Sequence, residues 1–433
     1  MNHVTLGLLG VGTVGSGVVR LLHEQADRLA RRAGARIDLK WAVVRDPEKP
    51  RSVSLKHIRV VTDPRRVIDD PEVSLIVETM GGTEQPLRLI LDALAAGKDV
   101  VTANKALLAE HGAEVFAQAR KFGRAVAFEG SVGGGIPIVQ ALAVSLAANE
   151  IQSLAAIVNG TCNFILSSMI QEGLSYEVAL QQAQKLGYAE ANPALDVDGT
   201  DTAHKLAILV QLAFGAEVTT IQIPRAGIDQ LQLADMKYAA ELGYTVKLLA
   251  LAKLSEAGIE LRVAPTLVRK GTPLAEVRGP YNAIRVVGDA VGDTFFYGRG
   301  AGMMPTASAV VGDIIDVVVG RAALNARALD LWPANAPPLR LTPPTSVRSR
   351  YYLRFTIADR PGVIARIATV LGEHAISIAS VIQHDPGDDV PDGPVPLVMM
   401  THGATQAATT SALAEIDRTK VVRAPSVCLG VEE

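Results

Sequence analysis

The stretch Val4-Thr5-Leu6-Gly7-Leu8-Leu9-Gly10-Val11-Gly12-Thr13-Val14-Gly15 decides the fold. Its first half is a short apolar run, Val4 to Gly10, that reads as a buried strand. Gly10, Gly12 and Gly15 then fit G-x-G-x-x-G. Apolar residues at helical spacing (Val18, Leu21, Leu22, Leu29) carry a helix from Val14 to Ala33. A strand, a glycine turn and a helix form the context in which this motif binds a dinucleotide. Gly10 allows the tight turn, Gly12 lets the backbone approach a pyrophosphate, and Gly15 lets helix and strand pack closely. The helix start at Thr13 and Val14 offers unpaired N–H groups and a positive dipole end to phosphates. A plain glycine turn has the same letters but not the flanking elements.

Outward from this stretch, strand and helix patterns alternate. Ile37 to Val44, Ser74 to Glu78, Asp99 to Thr102 and Ala125 to Phe128 read as strands. Helices fill the spaces from Pro86 to Ala96 and from beyond Thr102 to about Phe122. This order predicts an α/β fold, a Rossmann-type doubly wound parallel sheet over residues 1–136. Beyond residue 136 the pattern changes. Helical stretches come first, then three longer strands: Thr245 to Leu254, Ile259 to Val268 and Ala283 to Ala290. That order predicts a separate α+β unit over 137–304. A helix near 305–325 is expected to return to the first unit. Five prolines mark residues 330–348 as a linker. Residues 349–433 read strand, helix, strand, strand, helix, strand, the ferredoxin-like βαββαβ order.

Composition narrows the function. The chain has 433 residues, 42 Lys plus Arg against 45 Asp plus Glu, and a net charge of −3. Such a balance argues against nucleic acid as the partner. Hydrophobic residues are 48% and aromatics only 4%. The apolar content is therefore aliphatic, as buried parallel strands require. Two cysteines, Cys162 and Cys428, are too few for a disulfide framework. No run of about 18 apolar residues predicts a membrane span. The first residues run straight into a strand without a signal-peptide pattern, so a cytoplasmic location is expected.

Several residues carry chemistry beyond the glycine turn. Arg45 ends the second strand, where an arginine can hold the 2′-phosphate of NADP; Asp46 directly behind it leaves NAD open. Thr79 and Lys105 lie at the C-terminal ends of two strands, where ligands bind in open α/β sheets. Lys105 can face a nicotinamide or its substrate, and a solvated helix-start lysine fits the same position. Glu129 opens the glycine-dense loop Glu129 to Pro137, which can bind a hard cation through carbonyls or act as a hinge. Cys162 has no histidine partner in sequence and reads as an inert thiol. Glu190, Asp196, Asp198 and Asp201 precede Lys205. Asp201 and Lys205 stand at i and i+4, on one helix face. These acids can hold a substrate ammonium while the lysine exchanges a hydroxyl proton. A surface ion pair at a helix start has the same spacing.

Taken together, these motifs resemble the homoserine dehydrogenase family. The matching pieces are Gly10 to Gly15, Glu78 to Gly82, Val101 to Leu107, Glu129 to Pro137, Asn159-Gly160-Thr161, Gly187 to Glu190, Asp198 to Lys205, and Gly298 to Ser308. The C-terminal unit resembles an ACT domain, with Asp359-Arg360-Pro361-Gly362-Val363 as its first strand-to-helix turn. The resemblance implies reduction of L-aspartate 4-semialdehyde to L-homoserine with NADPH or NADH, on the route to threonine, methionine and isoleucine. It makes Lys205 the general acid, with Lys105 and Asp201 beside it. It assigns substrate binding to Thr161, Glu190, Asp196 and Asp201. Cofactor contacts fall on Gly10, Gly12, Thr13, Val14, Gly15, Arg45, Thr79, Lys105, Gly187 and Gly302. A sodium ion would sit on Glu129 and the carbonyls of Val132, Gly134 and Ile136. The ACT unit implies an amino-acid effector, threonine, bound at the interface of paired C-terminal units, on top of a dimer formed by the middle unit's sheet, hence a homodimer or homotetramer. The early first strand predicts a monofunctional chain with no preceding kinase segment. Two rivals remain: a phosphorylating semialdehyde dehydrogenase, which needs a nucleophilic cysteine, and a catalytically inactive amino-acid sensor.

Overall fold

The computed structural model describes residues 2–329, 331, 340–384 and 394–432. The expected linker falls partly outside the described residues, at 330 and 332–339. Along the chain come β1 (Asn2–Leu9), α1 (Thr13–Glu24), α2 (Ala26–Ala33), β2 (Ala35–Val43), β3 (Arg59–Val61), α3 (Arg65–Ile68) and β4 (Val73–Glu78). Next are α4 (Glu84–Ala95), β5 (Asp99–Thr102), α5 (Lys105–Phe122), β6 (Val126–Ala127), α6 (Ile138–Gln140) and β7 (Ile151–Ile157). Four helices follow: α7 (Gly160–Glu172), α8 (Tyr176–Lys185), α9 (Ala194–Val197) and α10 (Thr200–Phe214). Then come α11 (Leu233–Glu241), β8 (Tyr244–Ser255), β9 (Gly258–Arg269), β10 (Tyr281–Gly288), β11 (Gly292–Arg299), α12 (Met303–Val318) and α13 (Arg321–Leu329). The C-terminal stretch holds β12 (Arg348–Ser349), β13 (Tyr351–Ala358), α14 (Val363–Glu373) and β14 (Ile378–Gln383). It ends with β15 (Pro394–Thr401), β16 (Ala404–Thr405), α15 (Gln406–Asp417) and β17 (Val422–Glu432).

The chain divides into two compact units, each made of three segments. The first comprises residues 1–160, 200–223 and 280–339; the second comprises 161–199, 224–279 and 340–433.

In the first unit, six parallel strands lie in the order β3-β2-β1-β4-β5-β6. This is the dinucleotide-fold order, reversing direction between β1 and β4. The strands are near-continuous aliphatic runs because helices cover both faces. Leu6, Leu8, Leu75, Val77 and Val101 are buried in one core with Ala307, Val310, Val311 and Ile314 of α12. The helix at 303–318 therefore completes the nucleotide-binding core, though it lies far away in sequence. It packs on α1 closely: a Cβ on Gly17 would sit 2.7 Å from Met303 O and from Ala307 Cβ. Strands β11, β10 and β7 lie side by side and antiparallel in this unit.

The second unit carries six adjacent strands, β8-β9-β17-β13-β15-β14. Within them β17, β13, β15 and β14 form the ferredoxin-like arrangement, with α14 and α15 packed on a core of Leu353, Phe355, Ile367, Leu371 and Leu397.

Two local expectations change. The single helix from Val14 to Ala33 is two helices, broken at Gln25 (φ −119°, ψ 21°). Leu22 and Leu29 keep a heptad spacing across the break, so apolar periodicity carries no mark of it. Strand β11 adds to the three strands expected in the middle of the chain. Its residues alternate between half-buried and exposed, giving no continuous apolar run, and Gly292 at φ +70° supplies the hairpin turn before it.

Candidate active site

The end of β4 and the end of β5 are tied together by one buried carboxyl. Glu78 takes the Met80 amide on Oε1 and the Thr102 hydroxyl on Oε2, both at 2.6 Å. Thr102 Oγ1 in turn accepts from the Asn104 amide at 3.1 Å. Asn104 caps α5, its Oδ1 accepting from the Leu107 amide and its Nδ2 donating to the Gly82 carbonyl. Burial pushes the Glu78 carboxyl up to about 7, against the pull of its hydrogen bonds. This network fixes the start of α5, and therefore Lys105.

Lys105 meets α10. Its Nζ lies 3.1 Å from Asp201 Oδ1. On the other side of the same carboxylate, Lys205 Nζ donates to Asp201 Oδ2 at 2.6 Å and to the Val158 carbonyl at 2.6 Å. Asn159 Nδ2 also donates to Asp201 Oδ2, at 2.9 Å. Asp201 and Lys205 are each only 8% exposed. The i, i+4 spacing therefore marks a buried cluster, not a surface pair. Burial pushes the Asp201 carboxyl up, but the Lys205 and Lys105 ammoniums and the hydrogen bonds from Lys205 and Asn159 outweigh it. They hold the group well below the ordinary carboxylate range. His204 faces Glu110 at 3.6 Å, and its burial lowers its pKa.

Sequence reasoning assigned no role to Val158, Asn159 or Glu78. Their motifs are visible as strand ends, but the partner that gives each its role lies on a different element. A strand-end asparagine followed by glycine is the available signal for Asn159. Gly160 is needed there because a Cβ would sit 2.8 Å from Pro280 O.

The glycine turn is built as a nucleotide cradle. A Cβ on Gly15 would lie 2.1 Å from Gly10 O, so helix and strand could not close. Gly10 has φ +96°. A Cβ on Gly12 meets nothing within 4 Å, so that face is open for a ligand to approach the backbone. Helix α1 starts with no side-chain cap and no acid in its first turn, so its N–H groups are available to phosphate. Thr79 donates its hydroxyl to Gly10 O at 2.8 Å and thereby braces the turn. Thr13 is exposed and Val14 half-buried at the rim. A cleft of about 370 Å³ runs from Gly10 and Gly12 past Thr79 to Arg45, Asp46, Lys49 and Arg51. Gly302, at φ +129°, is the residue before α12 in the same unit.

The loop after β6 presses against the turn Arg299-Gly300-Ala301 that follows β11. A Cβ on Gly134 would lie 2.5 Å from Gly300 O, and the Gly135 amide donates to Arg299 O at 2.8 Å. Glu129 turns its carboxylate onto the amides of Val139 (3.0 Å) and Gln140 (2.8 Å). Burial pushes it up to about 7. Asp313 of α12 accepts from the Glu129 amide at 2.8 Å, and burial raises its carboxyl well above the usual range. Val132, Gly134 and Ile136 are buried. Ile136 O accepts from Ile138 N, whereas the carbonyls of Val132 and Gly134 take no hydrogen bond among the described residues. Carbonyls of buried residues that take no hydrogen bond, in the loop that the half-buried Glu129 opens, fit a hard cation. No cluster of three His, Cys, Asp or Glu side chains that could hold a metal occurs among the described residues.

The second unit carries the remaining expected residues. Thr161 donates its hydroxyl to Tyr188 O at 2.6 Å. Glu190 is exposed and Asp196, in α9, half-buried. Gly187 has φ +76° and ends α8. Cys162 is fully buried and its thiol donates to Asp196 O at 3.2 Å. A fully buried thiol that donates to a carbonyl is in the setting of an inert cysteine. Among the described residues no helix is long and apolar enough to cross a membrane.

A dinucleotide cradle at the switch point of a parallel sheet, with two lysines on a buried aspartate, defines a nicotinamide-dependent oxidoreductase. Comparison with known proteins places it further. Residues 10–129 match the family described as homoserine dehydrogenase, NAD binding domain; residues 137–315 match homoserine dehydrogenase; residues 351–418 match the ACT domain. A homoserine dehydrogenase of Pseudomonas aeruginosa is 42% identical over 444 residues, covering 100% of both chains. The crystal structure of one from Thiobacillus denitrificans superposes with a TM-score of 0.91 at 42% identity, covering 100% of this chain and 99% of that one. A hyperthermophilic archaeal homoserine dehydrogenase mutant in complex with NADPH matches 72% of this chain and 97% of its own, at 25% identity and a TM-score of 0.62. The chain belongs to the homoserine dehydrogenase family and is an NAD(P)-dependent oxidoreductase.

Proposed function

We propose that this chain reduces L-aspartate 4-semialdehyde to L-homoserine, with Lys205 as the proton donor. The observation that carries this reading is the hydrogen-bonding of Lys205. Two of its three ammonium protons are engaged, by Val158 O and Asp201 Oδ2. The third remains for a substrate oxygen. When bound, the nicotinamide supplies the hydride that reaches the aldehyde carbon. Negative charge then develops on the carbonyl oxygen, where an oriented ammonium both stabilises it and protonates it. Asp201 holds Lys205 in place and keeps it paired until that moment. Lys105, on the other oxygen of Asp201, adds positive charge at the same place. In the oxidation direction Lys205 accepts the hydroxyl proton. Thr161, Glu190 and Asp196 bind the amino-acid end of the substrate. Gly187 and Gly302 complete the cofactor contacts made by Gly10, Gly12, Thr13, Val14, Gly15 and Thr79.

NADPH is the preferred cofactor in this reading. Arg45, Lys49 and Arg51 put three cations around a single acid, Asp46, at the ribose end of the cleft. The archaeal relative in complex with NADPH supports the same choice. A sodium ion rests on the Glu129 loop, on the carbonyls of Val132, Gly134 and Ile136. The C-terminal ACT unit provides feedback control by threonine, in a dimer or tetramer.

Replacing Lys205 by alanine tests the central claim. Turnover is expected to fall by about a hundredfold or more, while the Kd for NADPH, read by fluorescence titration, stays within about twofold. Turnover near the wild-type level in Lys205→Ala overturns the assignment.

A further inference from the structure

In the second unit, β9 and β17 run parallel but pair over only three residues, Thr266 with Gly430 to Val268 with Glu432. Before that junction the strands diverge. A cavity of about 790 Å³ opens there, walled by Glu260 to Pro265, by Ala424 to Gly430 and by the 224–232 segment, whose Arg225 and Asp229 also line it. That volume is within the range of small-molecule sites.

The charges in this cavity are unusual. Glu260 and Arg262 are two apart on β9 and so project from the same face, roughly 7 Å from each other along the strand. They do not form an ion pair, and neither side chain has a hydrogen bond among the described residues. Arg262 Nε is buried without a partner. Its guanidinium reaches across to β17: a Cβ on Gly430 would lie 2.8 Å from Nη1. Burying part of a guanidinium without an acceptor costs free energy that a bound anion recovers. Arg354, a buried arginine in the same wall, is already committed to Asp235 at 2.6 and 3.1 Å, whereas Arg262 is half-buried.

The geometry points to this cavity as an effector site for a small zwitterionic amino acid, its carboxylate on Arg262 and its ammonium on Glu260. The inference rests on the reading above that the C-terminal unit brings amino-acid control, and it gives that control a place and a route. The route is short. Val263, next to Arg262, donates its amide to Pro224 O and accepts from the Ala226 amide, both at 2.8 Å. Two residues on, the Ile228 amide donates to Val197 O at 2.9 Å. Gly227 lies flat against the same turn, where a Cβ would be 2.3 Å from Val197 O and 2.9 Å from Asp198 Cα. Val197 ends the helix that bears Asp196, a residue we assign to the substrate. A ligand that draws β9 and β17 together thus displaces the 224–228 segment and, through it, the Asp196 turn.

The test uses the full-length protein and three probes: L-threonine, L-isoleucine and L-methionine. Binding is read by equilibrium dialysis, and inhibition by initial rates of NADPH oxidation with aspartate semialdehyde. The expected result is saturable binding of at least one probe by the wild type. In Arg262→Met and in the isosteric Glu260→Gln, its Kd rises at least tenfold, while kcat and KM without effector stay unchanged. Bound effector is expected to raise the KM for the semialdehyde more than it lowers kcat. Thermal unfolding confirms that both variants fold. If both bind with the wild-type Kd while Asp359→Ala, at the turn before α14, loses binding, the cavity is overturned and control through the ACT unit stands. If the wild type binds none of the three, both readings fall.

Discussion

At the residue scale, the site is organised by carboxyls in opposite electrostatic situations. Asp201 is buried but outweighed by two ammoniums, so it stays ionised as an anchor for Lys205. Glu78 is buried with only neutral donors around it, and its carboxyl sits at about 7. That difference has a measurable consequence. In the unfolded chain Glu78 ionises near pH 4.5, while in the folded protein it stays protonated to about 7. Between those values only the unfolded state gains by losing the proton, so stability falls as pH rises through the window. The loss is about 3 kcal/mol at about 1.4 kcal/mol per unit. The amide introduced by Glu78→Gln resembles the protonated carboxyl and does not titrate. The variant is expected to match the wild type near pH 5 and to exceed it by up to about 3 kcal/mol at pH 8. Urea unfolding at the two pH values measures this. Other groups that titrate in the window cancel in the difference. A gap that stays constant with pH means that Glu78 ionises normally.

At the element scale, the Glu129 loop shows why some of the site was legible in sequence and some was not. The nucleotide turn could be read because its three glycines answer to local geometry: one positive φ, one open face, one close packing. The Asp201–Lys205 pair could be read because one helix carries both. The charge state of Glu129 could not be read, since it is set by burial in the fold and by Asp316 of α12, far along the chain. Nor could the role of Val158, which acts through a carbonyl. The loop also offers its own test. A cation on the buried carbonyls favours ionised Glu129, and below about pH 7 it must first displace the proton. Sodium is therefore expected to raise the Tm more at pH 8 than at pH 6, with choline chloride at equal ionic strength as the reference. Glu129→Gln is expected to lose the pH-dependent part. A sodium shift of equal size at both pH values counts against the site.

At the scale of the whole chain, sequence order and spatial order part company. Each compact unit is assembled from three separated segments, so its stability depends on contacts of high sequence separation. One such contact in the second unit joins its middle segment to the ACT strands. Asp235, fully buried on α11, accepts from Arg354 Nε at 2.6 Å and Nη2 at 3.1 Å, and from the Tyr352 hydroxyl at 3.1 Å. Both arginine and tyrosine belong to β13. Removing the carboxylate charge leaves a buried guanidinium uncompensated, which costs about 3–5 kcal/mol. Replacing both Asp235 and Arg354 by apolar residues of similar volume removes the unpaired charge and leaves the smaller cost of the Tyr352 hydroxyl and the Gln232 amide, which lose their acceptor. Asp235→Asn is therefore expected to be strongly destabilised in urea, and the Asp235→Leu, Arg354→Met double variant to recover most of the loss. Limited proteolysis separates a local effect from a global one. If the pair fastens β13 to α11, Asp235→Asn is cleaved near the start of β13 faster than the wild type, and the double variant returns towards the wild-type rate. Equal losses in the single and double variants would mean that the pair itself, and not the avoidance of an unpaired charge, holds these segments together.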